Sequence, residues 1–339
     1  MGRTGKVSKM NRVLSAQDVA DLVLRKREIE VTLKESILTP AALNLLQSEQ
    51  NETVQRKNPI VPDQEHGWTR ETDPKTKEEI ESFFRSQAIE TLKERMVDIG
   101  RRLWERNYVD GNGGNITIRV GDNLVLSTPT LISKGFMTTE DMCLVDFEGT
   151  QLAGSRKRTS EVKTHIGIMR RQPRAKSCVH AHPVHATAFA VASVVPPTCM
   201  IPEAEVFLGK IGLAKYQTPG TIENADEVGR VGIDHNSILM ENHGVITWGK
   251  DVEDAYWKME NTDAYCQTVW IASQLGRELS TFGPSHLREL IEMRKRLGME
   301  DWRSELPEAE LCDNSKFHPS VVCRIPKKDA IGKETDHTE

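Results

Sequence analysis

The run VHAHPVHATAFAVA, residues 179–192, sets His180, His182 and His185 within six positions at the mouth of an otherwise apolar stretch. Residues two apart in a strand point to the same face, so His180 and His182 project together. Pro183 ends that strand and opens an alanine-rich helix from about Val184. The same alternation repeats on either side. Upstream, SEVKTHIGIMRRQ (160–172) reads as a helix leading into the strand KSCVHAH (176–182). Downstream, SILMENHGVITWG (237–249) reads as a strand, followed by a long helix over 251–275. Short β-branched runs at 115–120, 124–128 and 142–146 lie close enough together for antiparallel pairing. Residues 78–107 read as one amphipathic helix, with Ile80, Phe83, Phe84, Ile89, Leu92, Met96 and Leu103 on its apolar face. This pattern predicts an α/β sandwich with a mixed central sheet.

Composition bounds the rest. The chain has 339 residues, 37% hydrophobic and 28% charged, enough for a sizeable core beneath a solvated surface. Its net charge of −5 gives no support for general nucleic-acid binding. No stretch approaches the roughly 18 apolar residues of a membrane helix, and the polar N-terminus lacks a signal-peptide core. The six cysteines follow no framework spacing and read as reduced thiols of a cytoplasmic protein. Cys312, His318 and Cys323 match no compact metal motif. Three zones follow: an N-terminal extension (1–77), a catalytic domain (78–275), and a C-terminal zone (276–339) with one helix near 284–297 and a polar tail. The extension carries helical patterns at 15–31 and 39–47 and then a polar linker.

Two parallel imidazoles at a strand end are awkward without a shared ligand, because protonating both sets like charges side by side. A divalent cation resolves this, and neutral imidazole is a preferred ligand of zinc. A hydrogen-bonded pair is the plain alternative for an isolated H-x-H. His243, in MENHGVITWG, shifts the balance: it too sits at a strand end, followed by a glycine that permits close approach. Three protein ligands with a nearby carboxylate is the pattern of a catalytic zinc site. Glu161 is the leading carboxylate, His165 a weaker supporting candidate, and His185 a packing or supporting residue.

The motifs GNGGNITIR, TSEVKTH, VHAHPVHATA and NHGVITWGKDVEDA, in this order and spacing, resemble the class II aldolase/adducin family over roughly residues 85–275. The resemblance implies a three-layer α/β/α sandwich with a mixed, largely antiparallel sheet, and a homotetramer with active sites between subunits. It implies His180, His182 and His243 as ligands of Zn2+ or another divalent metal, and Glu161 as the catalytic carboxylate. Asn115, Thr130, Thr159 and Ser160 correspond to its phosphate-binding residues. Asn112 and Leu131 depart from that pattern, standing where a threonine and a glycine are common. Arg156, Lys157 and Arg158 add positive charge nearby or are a solvated face.

The implied activity is zinc-dependent cleavage of a deoxyketose 1-phosphate, of the fuculose or rhamnulose type, to dihydroxyacetone phosphate and lactaldehyde through a metal-stabilised enediolate. Glu at position 161 favours an aldolase over the family's epimerases. Met200, however, falls where the aldolases carry a proton-donating tyrosine. Glu205, in PEAEVFLGK, resembles an epimerase acid and is the candidate second acid/base, acting across a subunit boundary, beside the plainer reading as an ordinary surface carboxylate; Tyr216 is a phenol that nothing places. A pentulose-5-phosphate 4-epimerase and a metal-dependent decarboxylase stay open, as does a non-catalytic adducin-like module, against which the complete histidine set argues. The helix at 15–31 is similar to peptides that route cargo into bacterial microcompartments, which makes shell proteins candidate partners, beside the plainer reading as an oligomer contact.

Overall fold

The computed structural model describes residues 71–312, with Asn314 and Phe317, and two short strands nearer the N-terminus. Those strands, β1 (Arg12–Leu14) and β2 (Ser36–Leu38), pair in parallel. The helical patterns expected at 15–31 and 39–47 lie outside the described residues, as do His318 and Cys323.

From residue 71 the chain opens with α1 (Lys77–Phe84) and α2 (Gln87–Glu105). The single helix expected over 78–107 is therefore two. Thr76 and Glu79 form a capping box at the start of α1, the Arg85 amide closes it on Glu81, and Ser86 starts α2 in an extended conformation. The sheet strands are β3 (Asn115–Arg119), β4 (Leu124–Ser127), β5 (Cys143–Asp146), β6 (Gln151–Ala153), β7 (Ser177–Ala181), β8 (Gly212–Ala214), β9 (Ser237–Met240) and β10 (Gly244–Gly249). They lie in the order β6-β5-β4-β3-β7-β10-β9-β8, and all neighbours are antiparallel except β8 and β9. Between the strands run α3 (Val162–Arg171), α4 (Val184–Ala192) and α5 (Ile222–Val231), and after them α6 (Val252–Ser273) and α7 (Pro284–Arg296).

Strand alternation sorts the core into two layers. Leu124, Leu126, Val179, Ala181 and Val245 pack with α2, α4 and α6 on one face. Val125, Cys178, Ile238, Ile246 and Trp248 pack with α3 and α5 on the other. The result is the expected three-layer sandwich with a mixed, largely antiparallel sheet. The run 237–249 is a hairpin and not one strand: Asn242 takes a φ of 54° in its turn, a conformation asparagine tolerates better than most residues.

The expectation of six reduced thiols is corrected. Cys199, in the loop after α4, forms a disulfide with Cys312, 113 residues on. Their separation carries no local signal; packing of the C-terminal segment beside that loop brings them together. Cys143, Cys178 and Cys266 are free and buried. The C-terminal segment is also held by buried charge: Arg303, 1% exposed, donates to Glu205 at 2.7 Å and to Asp301 at 2.8 Å.

Candidate metal centre and active site

Pairing of β7 between β3 and β10 sets His180 opposite Asn115 on one side and Ile246 on the other. His180 is buried, on the sheet face covered by α3. Its Nδ1 lies 2.8 Å from the Val245 carbonyl, which can only accept, so the proton sits on Nδ1 and Nε2 is left bare. His182, just past the strand end, donates its amide to the Tyr108 carbonyl, and its Nδ1 lies 3.0 Å from Asp110 Oδ1. This fixes the same tautomer. The two bare Nε2 atoms face each other at 3.2 Å. Opposed lone pairs at that distance repel, and a shared proton or a cation beside them relieves the repulsion. His243 follows Asn242 in the β9–β10 turn; its ring centre is 4.7 Å from that of His180 and 5.4 Å from that of His182. Its Nδ1 is buried with no partner among the described residues.

The donor atoms of His180, His182 and His243 all lie within 4.8 Å of one another. Burial pushes the His180 imidazole down to about 3 and lowers that of His243, so both rings are neutral at physiological pH. Glycines make room for them. A Cβ on Gly244 would lie 2.6 Å from His182 Cδ2 and 2.8 Å from the Ala181 carbonyl, and one on Gly114 would lie 2.9 Å from the His180 carbonyl. Neutral nitrogen donors, an unpartnered buried nitrogen and opposed lone pairs fit a divalent metal.

Glu161 precedes the first turn of α3. Its Oε1 is 3.5 Å from His243 Nε2 and its Oε2 is 3.5 Å from His180 Nε2. The Asn115 amide donates to Oε2 at 2.8 Å. Burial alone would raise the Glu161 pKa, but His180, His243 and Asn115 outweigh it and hold the group below the ordinary carboxylate value. It is an ionised carboxylate against two of the three imidazoles.

Other expected residues divide. Asn115 points at Glu161 rather than standing free. Thr130 and Thr159 lie on loops laced together by the Thr130 amide on Lys157 (2.9 Å) and the Thr159 amide on Thr128 (3.0 Å); Ser160 is exposed beside them. Arg156 faces Asp141, and Arg158 donates to the Gly149 and Thr159 carbonyls. His165 is fully buried beneath the sheet, Nδ1 2.8 Å from Thr117, and burial pushes it down to about 4. His185 bonds Asp263 Oδ2, while Asp263 Oδ1 accepts the His185 and Ala186 amides at the start of α4. That is a packing and capping role.

Glu205 stands apart from the histidines. It is 2% exposed, its Oε2 takes Arg303 and its Oε1 takes the Cys199 amide at 2.6 Å. Both oxygens are engaged, and neither touches the histidines. Met200 packs against the core, and Tyr216 is half exposed with its amide on Glu241. The sequence reading missed Asp110, the Val245 carbonyl and Lys134. Asp110 stands just before the glycine-rich loop, a signal that was available. Lys134, buried between the Asn112 and Ile132 carbonyls, carried none.

The pattern described as "Class II Aldolase and Adducin N-terminal domain" matches residues 94–270. An L-fuculose phosphate aldolase of Methanococcus maripaludis is 38% identical over 179 residues, 53% of this chain and 96% of the relative. A 3-oxo-tetronate 4-phosphate decarboxylase of Haemophilus influenzae is 33% identical over 181 residues, 52% of this chain and 84% of the relative. Among solved structures, an L-fuculose 1-phosphate aldolase superposes with a TM-score of 0.57 at 22% identity, covering 60% of this chain and 96% of its own, a likeness of fold.

Proposed function

The chain belongs to the class II aldolase and adducin family, and on that premise we propose that it is a zinc-dependent lyase cleaving a carbon–carbon bond in a phosphorylated sugar, a deoxyketose 1-phosphate of the fuculose or rhamnulose type. The observation that carries this reading is the ionised Glu161 bridging His180 and His243 at 3.5 Å each, beside His182. His180, His182 and His243 would hold the ion, with Val245 and Asp110 fixing two of the rings. When bound, the ion acts as a Lewis acid toward the substrate's carbonyl and hydroxyl oxygens. Asn115 aims Glu161, which takes up and returns the proton at the reacting carbon. The loops at 111–115, 128–131 and 157–160 receive the phosphate. The exposed Val184, Trp257, Trp270, Ile271 and Leu275 supply apolar surface for the proposed homotetramer. Routing into a microcompartment rests on residues 15–31, outside the described residues.

A second reading is decarboxylation of a 3-oxo acid phosphate. It leaves the same kind of carbanion without a hydroxyl that must lose its proton as an aldehyde departs, and Met200, packed against the core where the aldolases carry a tyrosine, can neither take nor return that proton. One experiment separates them: zinc-loaded and chelated protein assayed for dihydroxyacetone phosphate from fuculose 1-phosphate and rhamnulose 1-phosphate, and for carbon dioxide from 3-oxo-tetronate 4-phosphate. Chelator-sensitive triose release supports the aldolase. Carbon dioxide release alone replaces it with the decarboxylase, and neither product from metal-loaded protein sinks both, leaving the epimerase and the non-catalytic module.

A further inference from the structure

Lys134, on the turn after β4, is 1% exposed. Among the described residues the other buried lysines, Lys93 and Lys258, each touch a carboxylate, Glu90 and Asp254. Lys134 touches none among the described residues. Its ammonium donates to two backbone carbonyls, Asn112 at 3.1 Å and Ile132 at 2.7 Å. A buried cation with no anion in contact is costly, so its retention needs a reason. Burial draws its pKa down to about 8, with the nearby Glu161 opposing, and the group stays mostly charged at neutral pH.

Its two acceptors belong to different loops, the glycine-rich 111–115 and the turn 130–134. The second is laced to 157–160 through the Thr130–Lys157 and Thr128–Thr159 backbone bonds. With the Asn112 and Ile132 carbonyls drawn toward Lys134, the amides of Asn112, Leu131 and Ser160 make no hydrogen bond among the described residues. Leu131 is held at a φ of 60° with its side chain 77% exposed, a strained conformation for leucine that persists only where surroundings impose it. The Lys134 bond to Ile132 is such a constraint. Arg156 and Arg158 are engaged elsewhere, as described above.

We propose that Lys134 is a positioning residue for substrate phosphate: from beneath the two loops it turns their open amides toward a phosphate monoester and supplies the positive field that holds it. This rests on the sugar-phosphate reading above and deepens it. The anion neutralises the buried charge across the loop, where no carboxylate is in contact with it.

The test is inorganic phosphate titrated into zinc-loaded full-length protein by calorimetry, for wild type, Lys134→Gln and Lys134→Arg, with zinc content measured in each. Gln keeps a donor to the carbonyls without the charge; Arg keeps both. Phosphate affinity should fall about tenfold to a hundredfold in the Gln variant and stay within about threefold in the Arg variant, with zinc retained in both. In the Gln variant, KM for a sugar phosphate should rise by the same factor with kcat little changed. Unchanged phosphate affinity in Lys134→Gln overturns the proposal. So does equal loss in both variants, which marks a purely structural tie, and so does a wild type that binds no phosphate. Because phosphate binding is read without turnover, an inactive wild type that binds it through Lys134 sinks the lyase reading and leaves this one standing.

Discussion

Replacing Arg303 with methionine should cost the protein about 3–5 kcal/mol of folding stability, the usual loss when one partner of a buried ion pair is removed. The structure sets that scale. Arg303 donates Nη1 to Glu205 at 2.7 Å, Nη2 to Asp301 Oδ2 at 2.8 Å and Nε to Asp301 Oδ1 at 3.0 Å, and all three side chains are at most 4% exposed. Methionine strands two carboxylates. Glu205 keeps only the Cys199 amide, and Asp301 keeps its own turn's amide and Arg294 at 3.5 Å. For a domain of this size the loss corresponds to a fall in Tm of roughly 6–20 °C. Urea denaturation of wild type, Arg303→Met and the double variant Glu205→Met/Arg303→Met measures it; the double variant should recover part of the loss, since it leaves one stranded carboxylate instead of two. A loss below about 1 kcal/mol for Arg303→Met would refute the buried pair. The same series decides what Glu205 does. If its role is structural, Glu205→Gln is destabilised yet turns over within a few-fold of wild type at a temperature where it is folded. Steep loss of turnover in folded protein would restore Glu205 as the second acid/base.

Glu161→Gln should keep the metal while turnover falls by about a hundredfold to ten-thousandfold, the scale of general acid–base catalysis; turnover near wild type would remove the base role. Asp110→Asn should weaken metal affinity by about tenfold to a hundredfold, since Asp110 orients His182 through Nδ1; zinc titration against a chromophoric chelator reads this, and unchanged affinity would show that the contact does not hold the ring. The metal-free protein should lose stability as the pH falls below about 6.5. The unfolded chain binds protons at His165 and His180 from there down, whereas the folded chain refuses them until about 4 and about 3, so stability is present above 6.5 and lost toward 4. A denaturation midpoint that is flat between pH 7.5 and 5 would contradict the burial of these rings.

What was legible in the sequence, and what was not, divides by range. His180 and His182 share a face because strands alternate, a rule acting over two residues. His243 and Gly244 announce themselves at a strand end, and Glu161 by its place ahead of a helix that returns to the same sheet. The break at Arg85 and Ser86 carries no proline or glycine, so the apolar period runs straight through it. Asn242 is a turn signal inside a run that otherwise has the composition of continuous strand. The Cys199–Cys312 bridge and the Glu205–Arg303 pair join positions 113 and 98 residues apart, and no local pattern encodes either. Glu205 shows what a local reading leaves out: an acid in a polar-looking turn gives no sign of the distant arginine that closes on it. Lys134 fails for the complementary reason. A lysine in a short loop is almost always at the surface, and only the carbonyls of Asn112 and Ile132, on two converging loops, reveal it as buried. The proposed metal donors are thus written in short-range spacing, while the groups that orient and neutralise them depend on contacts made only once the sheet has formed.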